Sequence, residues 1–333
     1  VLILSAGLLS AFTSNSSVMA MFLPLIRSVA ASSNGRIKAR HLVMPVGIST
    51  MVGGGCTIVG STPQLVTQGL LSDGGYRTLT FFELGYVGFP LLILLALFYS
   101  TIGYKLVCRA TSYMPDVPEY MNEMKPSDSK EASKVNPKMY VCFAILAVMV
   151  AGFLAGIWTV GTVATLAALI CVVTGCISTK VAFNKMGWNA LIIVGATLGV
   201  AKGLNESGAA RYIANLIVNA LGDNAGIVML LFVVGFMCVI MSNLLSHTAT
   251  ISLLIPIFIP VANQMGIDPT LLSFAITCFV ACGYSTPLGV ASYGMTLAEG
   301  YKFTDYFKIA GAFNLIAFII MVLISSARFI IGF

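Results

Sequence analysis

The sequence predicts an all-α polytopic membrane protein made of inverted repeats, each with a re-entrant hairpin and a broken transmembrane helix. Composition, the length of the uncharged runs and a recurring pair of polar motifs predict it. Of the 333 residues, 58% are hydrophobic and 9% are charged, whereas about a quarter of an ordinary soluble domain is charged. Uncharged stretches recur at 42–71, 84–104, 139–179, 188–201, 225–267 and 309–327. Several exceed the roughly 20 residues that span a bilayer. Period-two alternation is absent, which argues against a membrane barrel.

The net charge of +6 follows from position and needs no nucleic-acid partner, because membrane proteins concentrate Lys and Arg in cytoplasmic loops. Threading the runs in and out collects Arg27, Arg36, Lys38, Arg40, Lys105, Arg109, Lys125, Lys130, Lys134, Lys138, Lys180, Lys185, Lys302 and Lys308 on one side. Arg77, Lys202, Arg211 and Arg328 fall on the other. The richer side is expected to face the cytoplasm of a bacterium, with the chain in the plasma (inner) membrane. Segment 109–138, rich in Pro, Ser and charge, reads as a cytoplasmic linker between a first-repeat part, 1–108, and a second repeat, 139–333. The chain opens on Val1 inside an apolar run with no visible signal peptide, and reads as lacking its beginning. The eight cysteines have no C-x-x-C pair and read as small packing residues.

Two polar clusters interrupt the apolar runs: SNSSVMAMFLPL at 14–25 and SHTATISLLIPI at 246–257. In each, a Pro follows the opening Ser by ten residues, at Pro24 and Pro256. Downstream, GSTPQLV at 60–66 is answered by YSTPLGV at 284–290. Two motifs recurring in the same order argue for an internal duplication, the mark of secondary transporters. The run 225–267 has 43 residues without a fixed charge, too many for one span, and the apolar part after its polar cluster, 251–262, has only 12. That shortness favours a re-entrant hairpin over two full crossings. The loop after the first cluster carries four cations and the loop after the second, 263–268, carries none. The hairpins are therefore expected to enter from opposite faces and to meet near the midplane. Each tip must line a cavity or be buried in protein, since bare loop backbone cannot face lipid.

All twelve carboxylates fall in loops or at segment ends, which counts against proton relays built on buried acids. The interior polar groups are hydroxyls, amides, unwound backbone and the imidazole of His247. Neutral oxygens suit a sodium ion, and helix N-termini with hydroxyl donors suit an anion. His41, in a basic loop, reads as solvated. Gly53-Gly54-Gly55 lacks the strand and Lys of a phosphate cradle and reads as close helix approach or a broken helix. No enzyme motif is present, and the reading is of a carrier, not an enzyme.

These residues resemble the divalent anion/sodium symporter family, carriers of dicarboxylates, citrate and sulfate within the ion transporter superfamily. The likeness rests on Ser14-Asn15-Ser16 and Ser246-His247-Thr248 at the two tips, on the turns Gly60-Ser61-Thr62-Pro63 and Ser285-Thr286-Pro287, and on GYKFTDYFKIA at 300–310. It runs along essentially the whole chain and implies that the family's first few helices are missing, which would leave the chain unfit to transport alone. It further implies sodium-coupled symport of a di- or tricarboxylate by an elevator motion, in a homodimer, with Na+ as the coupling ion and no organic cofactor. One sodium site would use Ser10, Ser14, Asn15 and Gly60; a second would use Ser242, the Leu245 backbone, His247 and Ser285. The small anion would meet Asn15, Ser16, Ser61, His247, Thr248, Thr286 and Pro287. Ser16 departs mildly from the family's Thr. His247 departs more, because an imidazole replaces an amide oxygen. Proton coupling through His247, a sulfate-like cargo, and a channel are the competing readings.

Overall fold

The computed structural model describes residues 1–33, 36–114, 137–155, 158–186, 188–222 and 226–331, so most of the 109–138 linker lies outside the described residues. The chain opens as two helices joined at a polar tip, α1 (Leu2–Ser10) and α2 (Asn15–Ser32). Ser14 ends the turn because its hydroxyl accepts the Ser17 N–H as an N-cap. α3 (Ala39–Gly54) stops inside the glycine triplet, 55–61 is irregular, and α4 (Thr62–Asp73) restarts with Pro63 in its first turn, where a missing N–H is harmless. α5 (Gly85–Ser100) then bends by 62° into α6 (Ile102–Ala110).

Next come α7 (Pro137–Ala155), α8 (Val160–Val173), α9 (Thr179–Lys185), α10 (Trp188–Glu206) and α11 (Ala209–Leu221). The opening pattern then returns in the same order. α12 (Ile227–Leu244) and α13 (His247–Gln264) meet at a tip capped by Ser246, whose hydroxyl accepts the Ala249 N–H. α14 (Pro269–Val280), the irregular segment 281–290, α15 (Ala291–Gly294) and a 3₁₀ turn at Met295–Glu299 form the second broken helix, before α16 (Phe303–Ile331). Among the described residues, α12 and α16 are each long and apolar enough to cross a membrane, and α5 with α6 qualifies as a bent pair. α12 buries Leu230, Leu231, Val234 and Cys238 while exposing Met229, Phe232, Phe236 and Ile240, as a lipid-facing helix should. The protein is an all-α polytopic membrane protein, as its sequence predicts.

Three details differ from the sequence reading. α13 has 18 residues, ~27 Å of helix, because it begins at the polar tip itself; shortness alone does not make this segment a hairpin. α11 was not visible as an uncharged run because it is amphipathic, burying Ala210 and Ala214 while exposing Arg211 and Tyr212. His41 lies within α3 and is half-buried. Its ring meets Tyr104 edge-on with centroids 5.7 Å apart, so it is a packing residue and not a solvated one.

The chain forms two compact units: Val1–Pro118 with Ile193–Phe333, and Glu119–Ile192. In the smaller one α7 and α8 form a helical pair, with Lys138 Nζ donating to the Gly175 carbonyl at 2.7 Å. In the larger one α1 lies on α3 so closely that a Cβ on Gly53 would stand 2.0 Å from the Gly7 carbonyl oxygen; only glycine permits that approach. The repeats interlock reciprocally: α2 packs on α15, α13 packs on α4, and the buried hydroxyls of Thr67 and Thr277 join the two broken helices at 2.8 Å.

At one end of this unit Glu83, in the connection between α4 and α5, accepts from Arg77 at 3.0 Å and from Arg328 at 2.8 Å. Arg328 is itself buried, its guanidinium 4.2 Å from the Phe274 ring centroid. Burial would raise the Glu83 carboxyl, but the hydrogen bonds from Arg77, the Thr80 N–H and Arg328 outweigh it and hold the pKa down to about 2. The stability this provides is complete above the ordinary value of 4.5 and is lost as pH falls toward 2. Glu83→Gln is expected to cost about 3 kcal/mol at pH 7, since it strips a buried guanidinium of its counter-charge. It should also flatten the acid-side fall in melting temperature. Thermal melts of the detergent-solubilised protein across pH would check both.

Candidate functional site

The two tips and the two breaks converge. Ser14, Asn15, Ser16, Gly60, Ser61, Ser246, His247 and Thr248 line one cavity of about 400 Å³, closed further by Thr62, Pro63, Gly289 and Val290. The first turns of α2, α4 and α13 all border it. The first N–H groups of a helix have no intrahelical partner and carry about half a positive charge. Ser61, the N-cap of α4, accepts no capping bond and instead donates to Gln64 Oε1, which leaves the α4 N–H groups for a guest. No Lys or Arg is among the described residues lining this cavity. A larger cavity of about 980 Å³ lies elsewhere, lined by Asp73, Lys202, Glu206 and Arg211; its charges are of both signs and it contains none of the tip residues.

Asn15 lies on the wall of the cavity and at the centre of a buried oxygen cluster. In the orientation that satisfies its surroundings, its amide nitrogen donates to Ser10 Oγ at 2.7 Å, the Thr50 carbonyl at 3.1 Å and the Gly60 carbonyl at 3.2 Å. Rotated by half a turn, the same amide places its own oxygen among those three. The result is a set of four neutral oxygens, a donor set for a hard cation and not for a transition metal. The fit is tight, because a Cβ on Gly54 would lie 2.2 Å from Asn15 Oδ1. Of the four first-site residues expected from the sequence, Ser10, Asn15 and Gly60 join this cluster. The Ser14 hydroxyl caps α2 and bonds Ser17 Oγ at 2.7 Å.

The second cluster is built differently. His247 is buried, and its Nε2 has no hydrogen-bond partner among the described residues. The ring reaches between two glycines: Cβ atoms placed on Gly283 and Gly289 would stand 2.7 and 2.8 Å from Nε2, and 3.0 and 2.7 Å from the Ser242 carbonyl oxygen. The Ser242 hydroxyl donates to the Val239 carbonyl at 3.1 Å. The Ser285 hydroxyl accepts from Asn314 Nδ2 at 2.8 Å, and the Leu245 N–H donates to the Met241 carbonyl at 2.7 Å. Thr286 is buried, its hydroxyl donating to the Asn243 carbonyl at 2.5 Å. Neither Thr286 nor Pro287 lines the cavity, where the backbone of Gly289 and Val290 takes their place.

Residues 1–279 match the family described as Citrate transporter, CitMHS. The chain belongs to the citrate transporter family. It is 26% identical to an uncharacterized transporter of Methanocaldococcus jannaschii over 97% of this chain and 72% of that protein. It is 24% identical to an uncharacterized transporter of Haemophilus influenzae over 96% and 70%. The sodium-dependent dicarboxylate transporter SdcS of Staphylococcus aureus is 22% identical over 96% of this chain and 66% of its own length. The resemblance carried by the two triplets and the two turns is thus borne out at the level of family.

For a citrate transporter family member, three residues at the site escaped the sequence reading. Gln64 Nε2 donates to the Gly54 carbonyl at 3.1 Å, Asn243 Oδ1 accepts the Ser285 N–H at 3.0 Å, and Asn314 holds the Ser285 hydroxyl from α16. A single amide inside a long apolar run, as Asn314 is, was the available signal. Asn243→Ala would orphan the buried Ser285 N–H and is expected to destabilise the protein by roughly 1–3 kcal/mol. A lowered melting temperature, with faster thiol labelling of the adjacent buried Cys282, would register the loss.

Proposed function

We propose that this protein is a secondary active transporter carrying a di- or tricarboxylate into the cell in symport with sodium, by elevator-type alternating access. The observation that carries this reading is the double position of Asn15, which belongs both to the oxygen cluster and to the wall of a cavity bordered by three helix N-termini. A cation at Ser10, Asn15, Thr50 and Gly60 would place positive charge beside an anion that no Lys or Arg meets. Each would then bind better in the presence of the other. Ser16 and Thr248 supply hydroxyl donors to the cargo, and the start of α4, which Ser61 leaves uncapped, supplies backbone N–H. The family description, and the printed name of the Staphylococcus aureus relative, support the substrate class and the ion.

Sodium fits the first cluster and not the second. There the His247 ring fills the space in which an amide oxygen would complete the set, and hard cations take oxygen ligands in preference to a ring nitrogen. The proposed stoichiometry is therefore one sodium at this pair of tips. The unpartnered Nε2 favours, as a second reading, proton coupling through His247. The sidedness proposed is that of the charge bias, with Arg27, Arg109 and Lys308 in the cytoplasm, and the proposed assembly is a homodimer in the bacterial plasma membrane.

Uptake of labelled citrate and succinate into proteoliposomes, with and without a sodium gradient, tests the leading reading. Sodium should stimulate uptake at least tenfold with a Hill coefficient near one, Asn15→Ala should abolish the stimulation, and His247→Asn should raise the coefficient toward two. Uptake that ignores sodium but follows a pH gradient, and loses that dependence in His247→Asn, would establish the proton reading instead.

A further inference from the structure

A third cavity lies away from the tips, where the end of α6 faces the start of α16. It has a volume of about 570 Å³ and is lined by Arg109, Tyr113, Lys302, Thr304, Asp305 and Lys308, among others. Three of these are cations and one is an acid. The acid is already engaged: Asp305 is buried, and its carboxylate accepts from the Tyr113 hydroxyl and, at 2.8 Å, from the Lys302 N–H. The cations have no carboxylate partner among the described residues. Lys302 instead rests its ammonium 4.2 Å from the centroid of the Tyr113 ring. The cavity also receives the N-terminus of a 29-residue helix, a further source of positive potential.

Exposed apolar side chains on the same two helices are the second observation. Phe303 and Phe307, one turn apart on α16 and directly beside Lys302 and Lys308, are 45% and 54% exposed. On α6, Ile102 is 65% exposed, while Gly103, Val107 and Ala110 are buried. α6 leaves the axis of α5 at 62°. Cations converging on a cavity, with exposed Phe303 and Phe307 interleaved among them along the start of a long apolar helix, match a molecule with an anionic head and a hydrocarbon tail. A free inorganic anion would have no use for the rings.

We propose that this cavity binds the phosphate of an anionic phospholipid, with Arg109, Lys302 and Lys308 around the phosphate oxygens, Thr304 offering its hydroxyl, and the acyl chains lying along Phe303 and Phe307. Basic pockets between helices at the cytoplasmic surface take lipid headgroups in this way. The inference requires only that the chain sits in a bilayer and is independent of the sodium reading.

The test is a thermal-shift titration of the detergent-solubilised protein with dioleoyl phosphatidylglycerol, dioleoyl phosphatidylcholine, glycerol 3-phosphate and inorganic phosphate. Phosphatidylglycerol is expected to raise the melting temperature saturably, and phosphatidylcholine to leave it unchanged. The half-saturating concentration should rise about fivefold on removing each cation and about a hundredfold in R109Q/K302Q/K308Q. Arg109→Gln and Lys308→Gln, measured singly, carry the same test if the triple variant folds poorly. A shift that the variants do not weaken, or that phosphatidylcholine matches, would overturn the site. A full shift from glycerol 3-phosphate or inorganic phosphate alone would overturn the assignment to lipid.

Discussion

The constraint on which the rest of this structure depends is that two stretches of unwound backbone lie inside a protein meant for a solvent without water. Every N–H and C=O released by a helix break in such a place needs a new partner. At the first break the Gly54 carbonyl is taken by Gln64, the Gly60 carbonyl by Asn15, and the Ile58 N–H donates to the Phe81 carbonyl at 3.3 Å. At the second, the Ser285 N–H is taken by Asn243, and the Gly289 carbonyl by the His247 N–H at 3.1 Å. The groups that satisfy the breaks are therefore the groups of the site. The binding chemistry proposed here is the residue of a hydrogen-bonding problem solved with side-chain amides and hydroxyls.

That solution explains the absence of charge from the cavity wall. A Lys or Arg at the tips would need a counter-ion whenever the cavity held no cargo, and a lone buried charge is costly. Three helix N-termini supply positive potential at fixed positions without that cost. Among the described residues, the buried charges lie instead at segment ends, where partners are supplied: Glu83 with Arg77 and Arg328, Glu299 with Arg27, and Asp305 with the Tyr113 hydroxyl and the Lys302 N–H. The same logic sets the two tips apart. Asn15 offers either end of an amide to the oxygens around it, whereas His247 offers a ring that needs a fixed pocket, provided by Gly283 and Gly289.

Much of this was legible in the sequence because it is local. A serine cap writes itself as Ser-x-x at the head of a helix, and a break writes itself as Gly or Ser-Thr-Pro inside an apolar run; both motifs recur, so the repeat, the tips and the breaks could be placed. What could not be read was long-range. Asn243 and Asn314 matter because α12 and α16 bring them to Ser285, and no spacing encodes that. The cargo contact expected of Thr286 comes from the family resemblance alone, and the fold adds what the motif does not carry, a bond from its hydroxyl to the Asn243 carbonyl. The extent of α13 was misjudged because polar residues at a helix start shorten the apolar run without shortening the helix.

The reciprocal packing limits how such a site can open. α2 lies on α15 and α13 on α4, and the hydroxyls of Thr67 and Thr277 tie the broken helices together at 2.8 Å. Parting the two tips to release cargo would separate both of these contacts and expose the buried backbone of both breaks at once. Moving tips and breaks together, as one body, would cost none of those bonds. Displacing the interlocked helices together therefore costs less than unlocking them, and this supports the elevator-type motion proposed above.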